Sequence, residues 1–182
     1  MKLQILIYIG SFLFLILPIF VLVRYKKIKD NWLHELSLFL FVSSIYVILW
    51  ITVFPTFLMI DQKMYVSYIK ESSHNNIFPF HTIKGLLKLL KQGIYLNYVY
   101  SNLFGNLLLF LPFAFFFKLT FKLKGIYILI LSMLFSLSIE LIQIPLMRIA
   151  DIDDIILNTL GAILGLGLAY LFIRLKSNVS KE

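Results

Sequence analysis

None of the 182 residues is cysteine. That excludes disulfides and thiolate metal sites, and it leaves the redox compartment open. Charge is scarce as well. Only 14% of residues are Asp, Glu, Lys or Arg, and nine of those are acidic. The three histidines, His34, His74 and His81, fall in predicted connections at no ligand spacing and read as surface residues. There is no Ser-His-Asp set, Gly-rich phosphate loop or HExxH pattern, and no internal repeat or low-complexity linker. No cofactor is implied by these residues.

Apolar residues are abundant. They make up 60% of the chain, and the mean hydropathy is +0.92. That lies well above a soluble domain and predicts an all-α polytopic membrane protein, with residues 1–182 forming one domain. The net charge of +8 raises the question of nucleic acid. Here, however, Lys and Arg lie between apolar segments, where they orient helices and meet anionic headgroups, so no nucleic-acid partner is expected.

A bilayer core needs about 20 helical residues. About five segments qualify, near 3–23, 36–60, 98–121, 125–145 and 154–173. The first could be a signal peptide, but no small-residue cleavage pattern follows it, so it reads as a retained helix. Residues 24–35 form a short basic connection, and 62–97 form the one long polar section. Within that section Ile83, Leu86, Leu87 and Leu90 recur at helical spacing, with Lys84, Lys88 and Lys91 on the other side. This predicts a short amphipathic helix, lying on the headgroups or packed on the end of the bundle. Pro112 cannot donate to the carbonyl of Leu108, so a kink is expected in the third span. Five spans put ten Lys and Arg on one side and seven on the other, which favours an outer N-terminus and an inner C-terminus.

Polar residues cluster at matching ends of the last three spans. Asn102 and Asn106 share one helix face, as do Glu140 and Gln143, while Asp154, Asn158, Gly161 and Gly165 form a stripe. At 1.5 Å per residue, Asn106, Glu140 and Asn158 sit roughly 5–15 Å below the interface. A carboxylate facing lipid is costly, about 2.5–3.5 kcal/mol for a central Asp on the translocon scale. Glu140 therefore either fixes helix packing through Asn106 or Asn158, or lines a polar cleft as a general acid or base. Asp151 fits a helix N-cap with Asp154 in the first turn. Arg148 can pair with Asp151 or Asp154, or clamp a phosphate or carboxylate. The acidic run with Glu140 could hold Mg²⁺, but its spacing fits no metal motif, and no metal site is assigned. Gly161 and Gly165 can drive a homodimer or, the better fit, pack on the third span at Gly105.

Four elements resemble the VanZ-like family of small bacterial membrane proteins. They are Asn76-Ile77-Phe78-Pro79-Phe80, Asn102-Leu103-Phe104-Gly105-Asn106 with Phe110-Leu111-Pro112, Ser138-Ile139-Glu140-Leu141-Ile142-Gln143, and Arg148 followed by Asp151 through Gly161 and Gly165. One departure is Phe113, where family members commonly have Gly; Phe there puts a close helix contact at that point in doubt. The resemblance implies an integral protein of the bacterial cell envelope, in the cytoplasmic membrane. The namesake is associated with resistance to teicoplanin by a route that does not rebuild the peptidoglycan stem. Expected partners are membrane lipids or lipid-linked envelope components.

Two functional classes follow. One is a non-enzymatic membrane module that alters the outer surface. The other is a membrane-embedded enzyme on a lipid-linked phosphate or glycan. In it Glu140 is the acid or base, Arg148 the anion clamp, Asp151 and Asp154 a metal or orienting pair with Asp154 counted beside Glu140 as catalytic, and Asn102, Asn106, Gln143 and Asn158 the binding groups. In a third, plainer reading the polar cluster only specifies the fold.

Overall fold

The computed structural model describes residues 2–53, 75–146 and 149–179. The described residues form five helices: α1 Lys2–Thr52, α2 His81–Gln92, α3 Leu96–Phe121, α4 Gly125–Gln143 and α5 Ile152–Val179. Among the described residues there is no strand, only an isolated parallel bridge between Asn76 and Asp151. The chain is an all-α membrane protein. Four stretches are long and apolar enough to cross a bilayer, namely Asp30–Thr52, Leu96–Phe121, Gly125–Gln143 and Ile152–Asn178.

The expected first span, 3–23, is the opening part of α1. It is joined to the next by helix rather than by a loop, with one non-helical residue, Asn31 (φ −150°, ψ 69°). Direction reverses there. Phe20 and Phe39 meet with tilted rings 5.3 Å between centroids, and Arg24 holds Glu35 through two hydrogen bonds of 2.6 and 2.7 Å. In a straight helix nineteen residues span about 28 Å, so α1 must be a hairpin. Asn31 Oδ1 accepts from His34 N (3.4 Å), in the manner of an N-cap for the second arm. Donating these hydrogen bonds to the Glu35 carboxylate raises the pKa of Arg24 above its ordinary value. The far end of the expected second span, 54–60, lies outside the described residues.

The second arm of α1 packs on α3. Phe41 meets Phe113, Phe117 and Phe121 at 4.8–5.4 Å, and Phe110 and Phe135 extend this aromatic core. Helix α3 runs unbroken through Pro112. Helices α3 and α5 lie parallel and touch along Gly161 and Gly165. A Cβ at Gly161 would fall on the carbonyl oxygen of Leu107, and one at Gly165 on that of Leu111. Only a Cα hydrogen fits there, which permits weak Cα–H···O contacts. This corrects the expected partner, since nothing approaches a Cβ at Gly105 within 4 Å. The glycine face is occupied inside one chain. Phe113 sits in the aromatic core, so its bulk does not obstruct the α3–α5 approach.

These contacts define two ends. Lys118, Lys122, Lys124, Arg174 and Lys176 gather where α3 and α5 finish, and Lys118 Nζ lies 4.9 Å from the Tyr170 ring centre. The α1 turn at Asn31 belongs to this basic end, because Phe41 meets Phe121. At the other end lie Thr52, Gln143, the start of α5 and the start of α2.

Candidate functional site

The site is the junction between the Asn75–Phe80 segment and the start of α5. Two backbone hydrogen bonds form the bridge: Asn76 N donates to Ala150 O (2.9 Å), and Ile152 N donates to Asn76 O (3.0 Å). Side chains reinforce it. Asn76 Nδ2 reaches Asp151 Oδ1 at 2.8 Å and Thr82 Oγ1 at 3.1 Å, and Ala150 N donates to Asn75 Oδ1 at 3.1 Å.

Asp151 is the N-cap of α5. Its Oδ1 accepts from Asp153 N, two residues on, at 2.9 Å. Its own N–H donates to Glu140 Oε2 at 2.8 Å, which ties the end of α4 to the start of α5. Glu140 is buried, so this N–H compensates part of the cost of keeping a carboxylate out of water.

Asp153 is fully buried, at 0% exposure. Its Oδ1 accepts from Phe80 N (2.5 Å) and its Oδ2 from Ile83 N (3.0 Å). These donors are the N-cap and the third residue of α2, a helix with no side-chain cap of its own. Asp153 thus caps α2 from another helix. A negative charge at a helix N-terminus is favourable by dipole as well as by hydrogen bonding. In the sequence Asp153 stands in the acidic run with no role beyond a share in the Mg²⁺ alternative. Asn76 and Ser136 were not proposed as site residues either. Asn76 carried a signal through the 76–80 element, and Ser136 through its position four residues before Glu140 on the same helix face.

The remaining predicted residues distribute as follows. Asn106 Nδ2 donates to Asp154 Oδ1 at 2.5 Å, linking α3 to α5. Asn158, buried, donates to Ser136 Oγ at 2.8 Å, linking α5 to α4, and its Oδ1 lacks a protein partner. Gln143 Nε2 donates to Thr52 O at 3.0 Å and so satisfies a terminal carbonyl of α1. Asn102 Nδ2 donates back to Tyr98 O on its own helix at 2.8 Å. Arg148 lies outside the described residues. Among the described residues no three His, Cys, Asp or Glu side chains are placed to hold a metal ion. An open hollow of about 580 Å³ lies away from the carboxylates, at the α2–α3 turn, lined by Gly93, Tyr95, Leu96, Asn97 and Tyr98.

The family model described as VanZ/LLP1 matches residues 39–173, most of the chain. The chain belongs to the VanZ/LLP1 family. No curated protein and no solved structure gave a match in the same comparisons. In this VanZ-like membrane protein, two sequence elements far apart in the chain prove to be partners. Asn76 through Phe80 meets Asp151 and Asp153 across more than 70 positions. The Asn106 element meets Asp154, and the Glu140 element meets the backbone of Asp151. All four stretches that carried the resemblance thus converge on one end of the bundle, although Arg148 itself is not described.

Proposed function

We propose that this VanZ-like protein lies in a bacterial cytoplasmic membrane with its N-terminus outside and its C-terminus inside. There it lowers susceptibility to teicoplanin-type lipoglycopeptides by altering the outer, membrane-proximal surface. The basic end, which collects the α1 turn and the ends of α3 and α5, supports this orientation by the positive-inside rule. The observation that carries the reading is Asp153, whose two oxygens both hold the backbone of α2. Asp151 and Glu140 likewise support the α5 N-terminus. Such an arrangement suits a scaffold that presents α2, with its lysines, beside the membrane where an acylated glycopeptide acts.

The test is teicoplanin and vancomycin susceptibility in a Gram-positive host lacking this protein. The host expresses wild type, a Lys84→Gln/Lys88→Gln/Lys91→Gln variant, or Glu140→Gln, at matched membrane levels. The scaffold reading expects teicoplanin protection to fall with the lysine variant and to survive Glu140→Gln. No protection from wild type would refute the proposal.

A second reading, a membrane-embedded enzyme on a lipid-linked phosphate or glycan, draws on one observation. Glu140, Asp151 and Asp154 share a junction near a buried amide oxygen, that of Asn158, with no protein partner. It predicts the opposite pattern, in which Glu140→Gln abolishes protection and the lysine variant retains it.

A further inference from the structure

The segment around α2 exposes the wrong residues for water. Ile77, Phe78, Phe80, Tyr95 and Tyr98 are each more than half exposed, although all belong to or border the most polar part of the chain. Two of them bound α2 in a backbone conformation that side chains rarely adopt. Phe80 (φ 65°) precedes α2, and Tyr95 (φ 52°) starts α3. Bulky residues in the left-handed region are uncommon and call for an explanation. The Asp153 bond to Phe80 N holds one of these residues in place and leaves its ring outside. Outward tyrosines at this level are side chains typical of membrane–water boundaries, and exposed Phe beside them suits the apolar edge of an interfacial helix.

Charge points the same way. Lys84, Lys88 and Lys91 are spaced four and three apart, so they share one face of α2, and all three are exposed. Among the described residues none of them pairs with a carboxylate. In the sequence, no Asp or Glu occurs between Glu71 and Glu140. Leu86, on the opposite face, is buried, and Leu87 flanks the lysines with 43% of its surface exposed. A cationic row edged by apolar side chains and bounded by outward aromatics complements a surface with phosphate above and hydrocarbon below.

We infer that α2 and its two aromatic ends lie in the headgroup layer of the adjoining leaflet, with Lys84, Lys88 and Lys91 held on the phosphates of anionic lipids. Residues Phe78, Phe80, Tyr95 and Tyr98 anchor the ends, and Asp153 fixes the helix at the depth where the lysines meet phosphate. The inference rests on the reading of α2 as the presented surface. It names anionic phospholipid as the partner and does not depend on any antibiotic.

The absence of cysteine makes the test clean. Full-length Leu87→Cys protein, labelled with an environment-sensitive fluorophore, is reconstituted into phosphatidylcholine bilayers with and without phosphatidylglycerol. Acrylamide, which is neutral, reports exposure to water, and a headgroup-depth spin-labelled lipid reports contact with the interface. The expected result is stronger lipid quenching and weaker acrylamide quenching in the anionic bilayer. Adding 1 M salt, where the screening length is about 3 Å, should reverse the change. Lys84→Gln/Lys88→Gln/Lys91→Gln in the same background should abolish the dependence on lipid charge, whereas Lys122→Gln/Lys124→Gln at the other end should not. A second label at Ile77→Cys should follow the first. Equal quenching in both bilayers, or a lipid-charge response that survives removal of the three lysines, would overturn the inference. The readout needs no resistance phenotype, so failure here and failure of the proposed function are separate results.

Discussion

Asp153 belongs to α5 but completes α2. Its buried carboxylate accepts from Phe80 N and Ile83 N, seventy or more positions earlier in the chain. A short helix whose own N-cap residue is Phe has no side-chain acceptor of its own to offer its first-turn donors, and the neighbouring helix supplies one.

Asp153→Ala should therefore free α2 before it unfolds the bundle. Leaving buried donors unsatisfied costs about 1–3 kcal/mol. The loss should appear as faster tryptic cleavage at Lys84, Lys88 and Lys91 in detergent micelles, together with a lower unfolding temperature. Asp153→Asn keeps one acceptor oxygen and should fall between the two. Cleavage rates that match wild type would show that α2 is held by something else.

The α3–α5 contact makes a sharper steric prediction. Gly161→Ala or Gly165→Ala places a methyl on a backbone carbonyl, which a rotamer change cannot relieve. Overpacking of this kind costs about 1–3 kcal/mol, occasionally more. Gly105→Ala, with open space around it, should leave thermal stability near wild type or raise it, since Ala is the better helix former. Equal effects at all three positions would contradict this packing.

The α1 hairpin can be tested by cross-linking. A Phe20→Cys/Phe39→Cys protein should link readily within one chain through a short bismaleimide, because the native rings lie 5.3 Å apart. A continuous helix would hold these positions about 28 Å apart and give no product. Arg24→Ala should slow the reaction by loosening the turn that its bond to Glu35 supports.

Phe113 touches Phe41, Phe110, Phe117 and Phe135, with ring centroids 5.3–5.7 Å apart. Phe113→Ala removes the centre of this group and should cost about 3–5 kcal/mol, the usual range for a buried Phe→Ala change. Phe121→Ala, at the exposed edge of the same stack, should cost clearly less. The comparison is made by unfolding in a single detergent, and a reversed order would place the core elsewhere.

Much of this architecture is legible from residues alone. Long apolar runs declare helices that cross a bilayer, because the hydrocarbon core sets a minimum length. The bounds of α3 and α4 come within two residues of the expected ones for the same reason. The amphipathic α2 is visible in the spacing of its leucines and lysines. The gathering of polar groups at one end follows from connectivity, since consecutive spans must alternate direction.

The pairings inside that end are another matter. Periodicity states which residues share a face, but not which neighbour the face meets. Asp153 and Asp154 are adjacent, yet one bonds α2 and the other α3. Glu140 meets a backbone N–H of Asp151. Gly161 finds Leu107 rather than Gly105. Each outcome depends on the rotation and register of helices brought together by packing, and these are set only when backbones approach closely enough for one methyl to matter. Apolar run lengths and the placement of Lys and Arg were enough for a multi-span membrane helix bundle with a basic end and a polar end. That the acidic run caps and bridges its neighbours came from helix packing, because hydrogen bonds across 70 or more positions form only after the bundle has placed their partners within 3 Å.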